Sequence, residues 1–294
     1  MVIRAEVYSD AFDVLAKTKL STKPERGLAS TIERIERCIR YACDECDLPL
    51  SRIEVIGVGL PGVVDANGRV TLDRGFDFKD FPLRQQLETR LGRPVCVGNI
   101  FELACHAIQA LEGSHDSGDF AVLFPGAILA AGLVVNGKPV DLSLFPPENP
   151  LLPSHAGNVV KWTEDSRFRG FRARDFRKAI RKGNEEARLF LRNSVVEAAD
   201  FGVRLVRAVG VRQLVLGGGA TDENKADMLD VAKTSVISFL GKLGSVDPDA
   251  IKITTSELGD SAGMTGAALV AAQSHRSRSQ PIHHFVGRRP ELAR

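Results

Sequence analysis

Residues 53–60 read Ile-Glu-Val-Ile-Gly-Val-Gly-Leu, and Pro61-Gly62 follows at once. An almost unbroken apolar run of strand length marks a strand covered on both faces, because a strand with one wet face alternates. Such a strand needs layers above and below it, so the chain is committed to a stacked α/β architecture. Residues 120–124, 128–135 and 213–216 are further buried strands, the last running into Gly217-Gly218-Gly219. At the N-terminus, Ile3, Ala5 and Val7 alternate with Arg4, Glu6 and Tyr8, which is a half-buried strand over 2–8.

Around these strands the punctuation is regular. A turn at Ser9-Asp10 leads to a second strand near 13–20, and Ser30-Thr31-Ile32-Glu33 has the spacing of a capping box for a helix over 30–46. Asn67-Gly68 and Asn136-Gly137 are hairpin turns. Helices are predicted over 82–91 and 100–112, with a strand at 94–97 between them. Residues 113–118 form a hinge, and 141–154 hold four prolines without periodicity, as an extended loop does. Two helices cover 173–209, then come a helix, a strand at 250–255 and a helix at 259–273. Strands, helix, strand, helix thus occur once in each half. The predicted organisation is an N-terminal lobe of residues 1–112 completed by helix 259–273, and a C-terminal lobe of 113–258. Residues 274–294, polar and with five arginines, are predicted to be a disordered tail.

Charge excludes some partners. With 39 basic and 37 acidic residues the net charge is +2, which provides no drive toward nucleic acid or an anionic membrane. No apolar run reaches the ~18 residues of a membrane span. The first residues carry charge where a signal peptide has its apolar core, so a cytoplasmic protein is expected. Cys38, Cys43 and Cys46 include a Cys-x-x-Cys spacing, but a zinc site wants a second pair, and Cys96 and Cys105 each lie alone. They are read as small apolar side chains of a helix, with no metal site and no zinc.

Six segments, in order, resemble the ROK (repressor, open reading frame, kinase) family. They are Ile56-Gly57-Val58-Gly59-Leu60-Pro61-Gly62-Val63-Val64-Asp65; Asp80-Phe81-Pro82-Leu83 with Leu91-Gly92-Arg93-Pro94-Val95; and Leu133-Val134-Val135-Asn136-Gly137-Lys138. The others are His155-Ala156-Gly157; Leu214-Val215-Leu216-Gly217-Gly218-Gly219; and Leu258-Gly259-Asp260-Ser261-Ala262-Gly263-Met264-Thr265-Gly266-Ala267-Ala268. The resemblance implies a two-lobed, actin-like (ribonuclease-H-like) sugar kinase fold built from a duplicated βββαβα unit. It implies ATP with Mg²⁺ as cofactor, a small sugar as ligand and a homodimer as assembly. It also implies a strand ahead of residues 2–8, between that strand and 53–60, carrying an Asp-x-Gly-Gly-Thr loop. That strand is not in the sequence, and a start codon assigned too late is the expected reason.

The same resemblance locates the site. It puts the sugar beside Gly62, Asn99 and Asn158, and the nucleotide against Gly126, Gly217, Gly218, Gly219 and Gly266. The general base would be an aspartate directly after Asn99, where this chain has Ile100. The phosphate turn would read Gly-Thr-Gly, and here reads Pro125-Gly126-Ala127. Asn158 and Lys161 stand where a glutamate and a histidine would hold sugar hydroxyls, and the usual cysteine-rich zinc loop is missing. The glycines at 217–219 and 266 serve either a close pass beneath adenine and ribose or a tight turn and a packed helix. His106 is read as a half-buried helical residue. Base, phosphate turn and sugar-side carboxylate change together, so the expectation is a pseudokinase that keeps sugar or nucleotide binding. The alternative is an active ATP-dependent hexose or N-acetylhexosamine kinase of the glucokinase type. A repressor of the same family, which needs a helix-turn-helix ahead of the kinase-like part, is disfavoured.

Overall fold

A computed structural model of the chain describes residues 2–73, 78–112, 118–126, 129–140, 178–219, 221–243 and 247–279. The first half begins with an antiparallel hairpin, β1 (Val2–Tyr8) and β2 (Val14–Ser21). Helix α1 (Gly27–Asp44) follows a single 3-10 turn, Pro24–Arg26. It starts three residues before the predicted 30 because Pro24 already supplies a helical φ where no N–H is required. Thr31 therefore lies one turn inside, its hydroxyl donating to the Gly27 carbonyl at 3.2 Å instead of capping the helix.

Next come β3 (Ile56–Leu60) and the hairpin β4 (Gly62–Val64) and β5 (Val70–Asp73). Asp65 organises that hairpin turn: one carboxylate oxygen accepts from the amides of Asn67 and Arg69, each at 2.9 Å. Helix α2 (Leu83–Leu91) ends on Gly92 in the left-handed region, and β6 (Val95–Asn99) runs directly into α3 (Ile100–Glu112).

The second half holds β7 (Phe120–Phe124), β8 (Ala130–Val135) and the short β9 (Lys138–Pro139). After these come α4 (Glu185–Val209), β10 (Gln213–Leu216), α5 (Lys225–Leu243), β11 (Lys252–Thr255) and α6 (Ala262–Ser279). Asn184 caps α4 by accepting from the Ala187 amide at 2.8 Å. Helix α6 reaches Ser279, so residues 274–279 are helical rather than tail. The sequence there has neither glycine nor proline to stop it before Pro281, and the Ser277 hydroxyl donates back to the Gln273 carbonyl at 2.9 Å.

Five strands of the second half make one sheet, ordered β11-β10-β7-β8-β9. Its centre is dry: Phe120, Ala121, Val122 and Leu214 have no exposed surface. α4 and α5 cover one face, with Leu191, Val195 and Leu240 fully buried against it. The first half instead forms three two-stranded sheets, β1-β2, β3-β6 and β4-β5. Its apolar residues divide likewise, one cluster around Ile56, Leu60 and Val95 and another around Val7, Ala16 and Ala42. α3 and α6 pack on each other between the halves. No described helix is long and apolar enough to cross a membrane.

Candidate functional site

At the junction of β6 and α3 a strand becomes a helix without a loop, so one point presents both strand-end and helix-start groups. Asn99 caps α3, its carbonyl oxygen accepting from the Phe101 amide at 2.8 Å. Its side-chain nitrogen donates to the Gly62 carbonyl at 2.9 Å. Two residues nominated for the sugar are thus brought together, and they are bonded to each other. Asn158, the third, lies outside the described residues, as do His155, Lys161 and the segment replacing the zinc loop.

Ile100 comes next. A methyl group on Gly59 would fall 2.6 Å from Ile100 Cδ1, and one on Gly263 would fall 2.6 Å from its Cγ1. The branched side chain therefore fills the gap between β3 and the start of α6, and the two glycines are the room it occupies. The start of α3 thus holds an apolar wedge against β3 and α6.

The turn after β7 is held by a partner that no local sequence pattern marks. Pro125 is buried and has no N–H. The Gly126 amide donates to Ser194 Oγ at 2.7 Å, and the same hydroxyl donates back to the Gly126 carbonyl at 3.0 Å. Ser194 sits on α4 and is 5% exposed. It lies 68 positions along the chain from Gly126, so no local pattern could announce it. Ala127 lies outside the described residues.

The glycine trio divides by role. Gly217 continues the ladder, its amide donating to the Leu123 carbonyl at 2.8 Å, and it leaves space for Phe124 and Val122. Gly218 has φ +90°, which L side chains rarely adopt, and a methyl there would meet only Phe124 at 3.5 Å. Its carbonyl accepts from the amide and hydroxyl of Thr221 at 3.1 and 2.7 Å. Gly219 is buried. From the same loop, Asp222 accepts from the Asp260 amide at 3.3 Å, which joins the trio to the entry of α6. Gly266 faces elsewhere: a methyl on it would stand 1.6 Å from the Leu103 carbonyl oxygen, so its glycine is accounted for by the contact of α6 with α3. Gly57 does the same for β3 against the Ala267 carbonyl.

Glu112 was not foreseen. Closing α3, it accepts from the Ser256 hydroxyl at 2.6 Å and from the amides of Glu257 and Leu258 at 2.8 and 2.9 Å. It fixes the loop that leads from β11 to α6. A cavity of about 280 Å³ opens beside β6, lined by Asp65, Asn99, Glu102, His106 and Ala267 among others. Burial holds the His106 imidazole below its ordinary pKa. Burial likewise raises the Cys38 and Cys43 thiols, and all five cysteines are free. Among the described residues no cluster of three or more His, Cys, Asp or Glu side chains is placed to hold a metal ion.

The ROK family model matches residues 2–141 and 156–274. Over 119 residues the chain is 30% identical to a protein named "Putative xylose repressor" from Caldicellulosiruptor sp. (strain Rt8B.4). That match covers 40% of this chain and 29% of the relative, so the chain aligns with under a third of that protein's length. The fold is similar to a ROK family glucokinase from Streptomyces griseus, solved with glucose and AMPPNP: TM-score 0.70, 20% identity, 92% of this chain and 96% of that one. It is similar also to a ROK hexokinase from Thermus thermophilus, with TM-score 0.64, 24% identity and coverage of 94% and 96%. A ROK family transcriptional regulator, a homolog of the E. coli MLC protein, matches with TM-score 0.65, 16% identity and coverage of 93% and 76%. At these identities the likeness is one of fold: mixed α/β and actin-like.

Proposed function

The chain belongs to the ROK family, and from that premise we propose that it is a sugar-kinase-like protein with impaired phosphoryl transfer that keeps a sugar or nucleotide as ligand. The observation that carries this reading is Ile100 wedged between Gly59 and Gly263. Transfer to a sugar hydroxyl needs a group to take the hydroxyl proton, and backbone donors and a metal ion to hold the phosphates. An isoleucine takes no proton, and removing a general base lowers the rate by roughly 10²–10⁴. Glu102 is two positions further along α3, so its side chain points well away from that of Ile100.

ATP and Mg²⁺ would supply the phosphoryl group and neutralise its charge, and the described residues fit only one end of that pair. At the phosphate turn Pro125 has no amide to offer and the Gly126 amide is engaged by Ser194. At the nucleoside end Gly218 leaves an open backbone beside the α6 entry. Asn99 and Gly62, bonded together, hold the strand end where a hexose would rest. In this reading the protein works in the cytoplasm as a binder of a small sugar or nucleotide.

A coupled ADP-release assay with Mg²⁺-ATP and glucose, mannose, fructose or N-acetylmannosamine tests the impairment. We expect no turnover above background. Turnover near ~1 s⁻¹, low in the usual enzyme range, contradicts it. A thermal-shift screen of the same sugars, ATP and ADP tests the retained binding, and a melting temperature unmoved by every one of them removes that half of the reading.

A further inference from the structure

The spaced cysteines Cys43-Asp44-Glu45-Cys46 have no part in the kinase-like reading. They lie where α1 hands the chain on toward β3. Cys43 is in the last turn of α1 and is 3% exposed, while Cys46 follows the helix and is half-buried. Both side chains meet in one apolar cluster: Cys43 belongs to it with Val7, Ala16 and Ala42, and Cys46 packs against it. Cys38 takes another direction. It is fully buried, and its thiol donates to the Ile3 carbonyl at 3.8 Å.

The backbone closes the turn between the pair. The Cys46 amide donates to the Cys43 carbonyl at 3.2 Å, and the Leu48 amide donates to the same carbonyl at 3.1 Å. A turn closed in this way keeps its end Cα atoms within ~7 Å, and a disulfide spans about 4.4–6.8 Å between Cα atoms. Glu45 still has helical backbone angles, and Asp47, at φ +53°, turns the chain out of the helix. Cys46 therefore sits at the bend, beyond the last helical residue. Its Sγ is folded back over the helix end, 3.4 Å from the carbonyls of Ala42 and of Cys43. A thiol is a weak donor, so these contacts hold the sulfur only loosely.

We propose that Cys43 and Cys46 form a reversible dithiol–disulfide site, closed by thiol–disulfide exchange with a low-molecular-weight disulfide of the glutathione class. The half-exposed Cys46 begins it: its thiolate attacks one sulfur of the oxidant, a mixed disulfide forms and the first small thiol leaves. The Cys43 sulfur, giving its proton to water, then attacks the Cys46 sulfur, and the second small thiol leaves. Two protein thiols are oxidised to one disulfide, and one small disulfide is reduced to two thiols. The order follows from access. Cys43 is buried, and burial, then the neighbouring Cys46 and Asp44, raise its thiol above the ordinary value, which makes it a poor first nucleophile. Leu50 and Ile53, just beyond the pair, pack both on this cluster and on the one around Ile56. Closing the disulfide therefore fastens the joint between α1 and β3.

Peptide mapping tests it, because Arg40 and Arg52 bracket the pair and trypsin leaves both cysteines on one peptide, 41–52. The folded 294-residue protein is held in excess glutathione disulfide, unfolded at mildly acidic pH with N-ethylmaleimide to block free thiols, and digested. We expect peptide 41–52 to be unblocked and lighter by the two thiol hydrogens, with Cys38 blocked on its own peptide, 38–40. Excess reduced glutathione should reverse the change. Cys43→Ser should instead trap the glutathione adduct on Cys46, and Cys46→Ser should leave Cys43 unmodified. The unaltered protein decides without either variant. Peptide 41–52 blocked at both thiols, a lasting glutathione adduct on Cys46, or Cys43 bonded to Cys38 overturns the proposal. In the oxidised protein the Cys46 and Leu48 amides should exchange several-fold more slowly than in the reduced one, and equal rates overturn the fastening role.

Discussion

Between β10 and β8 the second half has β7, and Phe120, Ala121 and Val122 there have no exposed surface. Between β3 and β1 the first half has no strand among the described residues, and Gly57, Val58 and Gly59 stay half-buried although their sequence is as apolar. The pair shows what a central strand does. It converts two flanking strands from edges into interior, joins their hydrophobic clusters, and lets an apolar run bury on both faces. Among the described residues the first half has covering helices over two strand pairs that no ladder joins.

The difference has consequences for stability, and the largest concerns the two strands themselves. Phe120→Ala should destabilise by about 3–5 kcal/mol in urea unfolding, since it empties a fully buried aromatic site in a strand paired on both edges. Val58→Ala should lose about 1 kcal/mol or less, because that side chain is already partly wet. Equal losses would break the contrast between the halves. A second pair separates the helix that bridges them from one that does not. Gly266→Ala places a methyl against the Leu103 carbonyl and should cost roughly 1–3 kcal/mol by forcing α3 and α6 apart. Gly241→Ala, in α5 with nothing nearby, should gain up to about 1 kcal/mol from helix propensity.

Most of this fold was legible and most of the site was not. Strands such as 53–60 and 213–216 announce themselves through local apolar runs, and hairpin turns through Asn67-Gly68 and Asn136-Gly137, because the determinants lie within a few residues. α1 begins at Gly27 because Pro24, six positions before Ser30, sets a helical φ ahead of the capping-box pattern at 30–33, and α6 runs to Ser279 because a polar stretch without glycine or proline still holds a helix. The site depends on distant partners. That Gly126 is held by Ser194, that Glu112 clamps 256–258, and that Ile100 needs Gly59 and Gly263 to fit are contacts across long loops. Gly266 illustrates the ambiguity best: one glycine fits a ligand or a neighbouring helix equally well until the helix is seen.

Smaller effects sharpen the reading of the junction between the halves. Ile100→Asp should yield no sugar-dependent ADP release, because the Gly126 amide remains engaged, and should lose on the order of 1–2 kcal/mol of packing between β3 and α6. Turnover by this single variant would show the phosphate turn to be adequate. Smallest is a pH effect at His106, whose imidazole is held below its ordinary value of 6.5 by burial. The unfolded chain takes up the proton first, so stability should fall as pH drops below about 6.5 and level off below the folded-state value. His106→Gln should lose less stability than the parent between pH 7.5 and 5.5; an identical loss would remove the assignment.

Amide hydrogen exchange of the unmodified 294-residue protein, resolved by segment, measures the inequality of the halves most directly. The account predicts the slowest exchange in β7 and β10, each laddered on both edges, and exchange in β1 and β3 faster by orders of magnitude, since each is laddered on one edge only among the described residues. Equal protection of β1, β3, β7 and β10 would mean that the first half closes its own sheet, and would contradict the account.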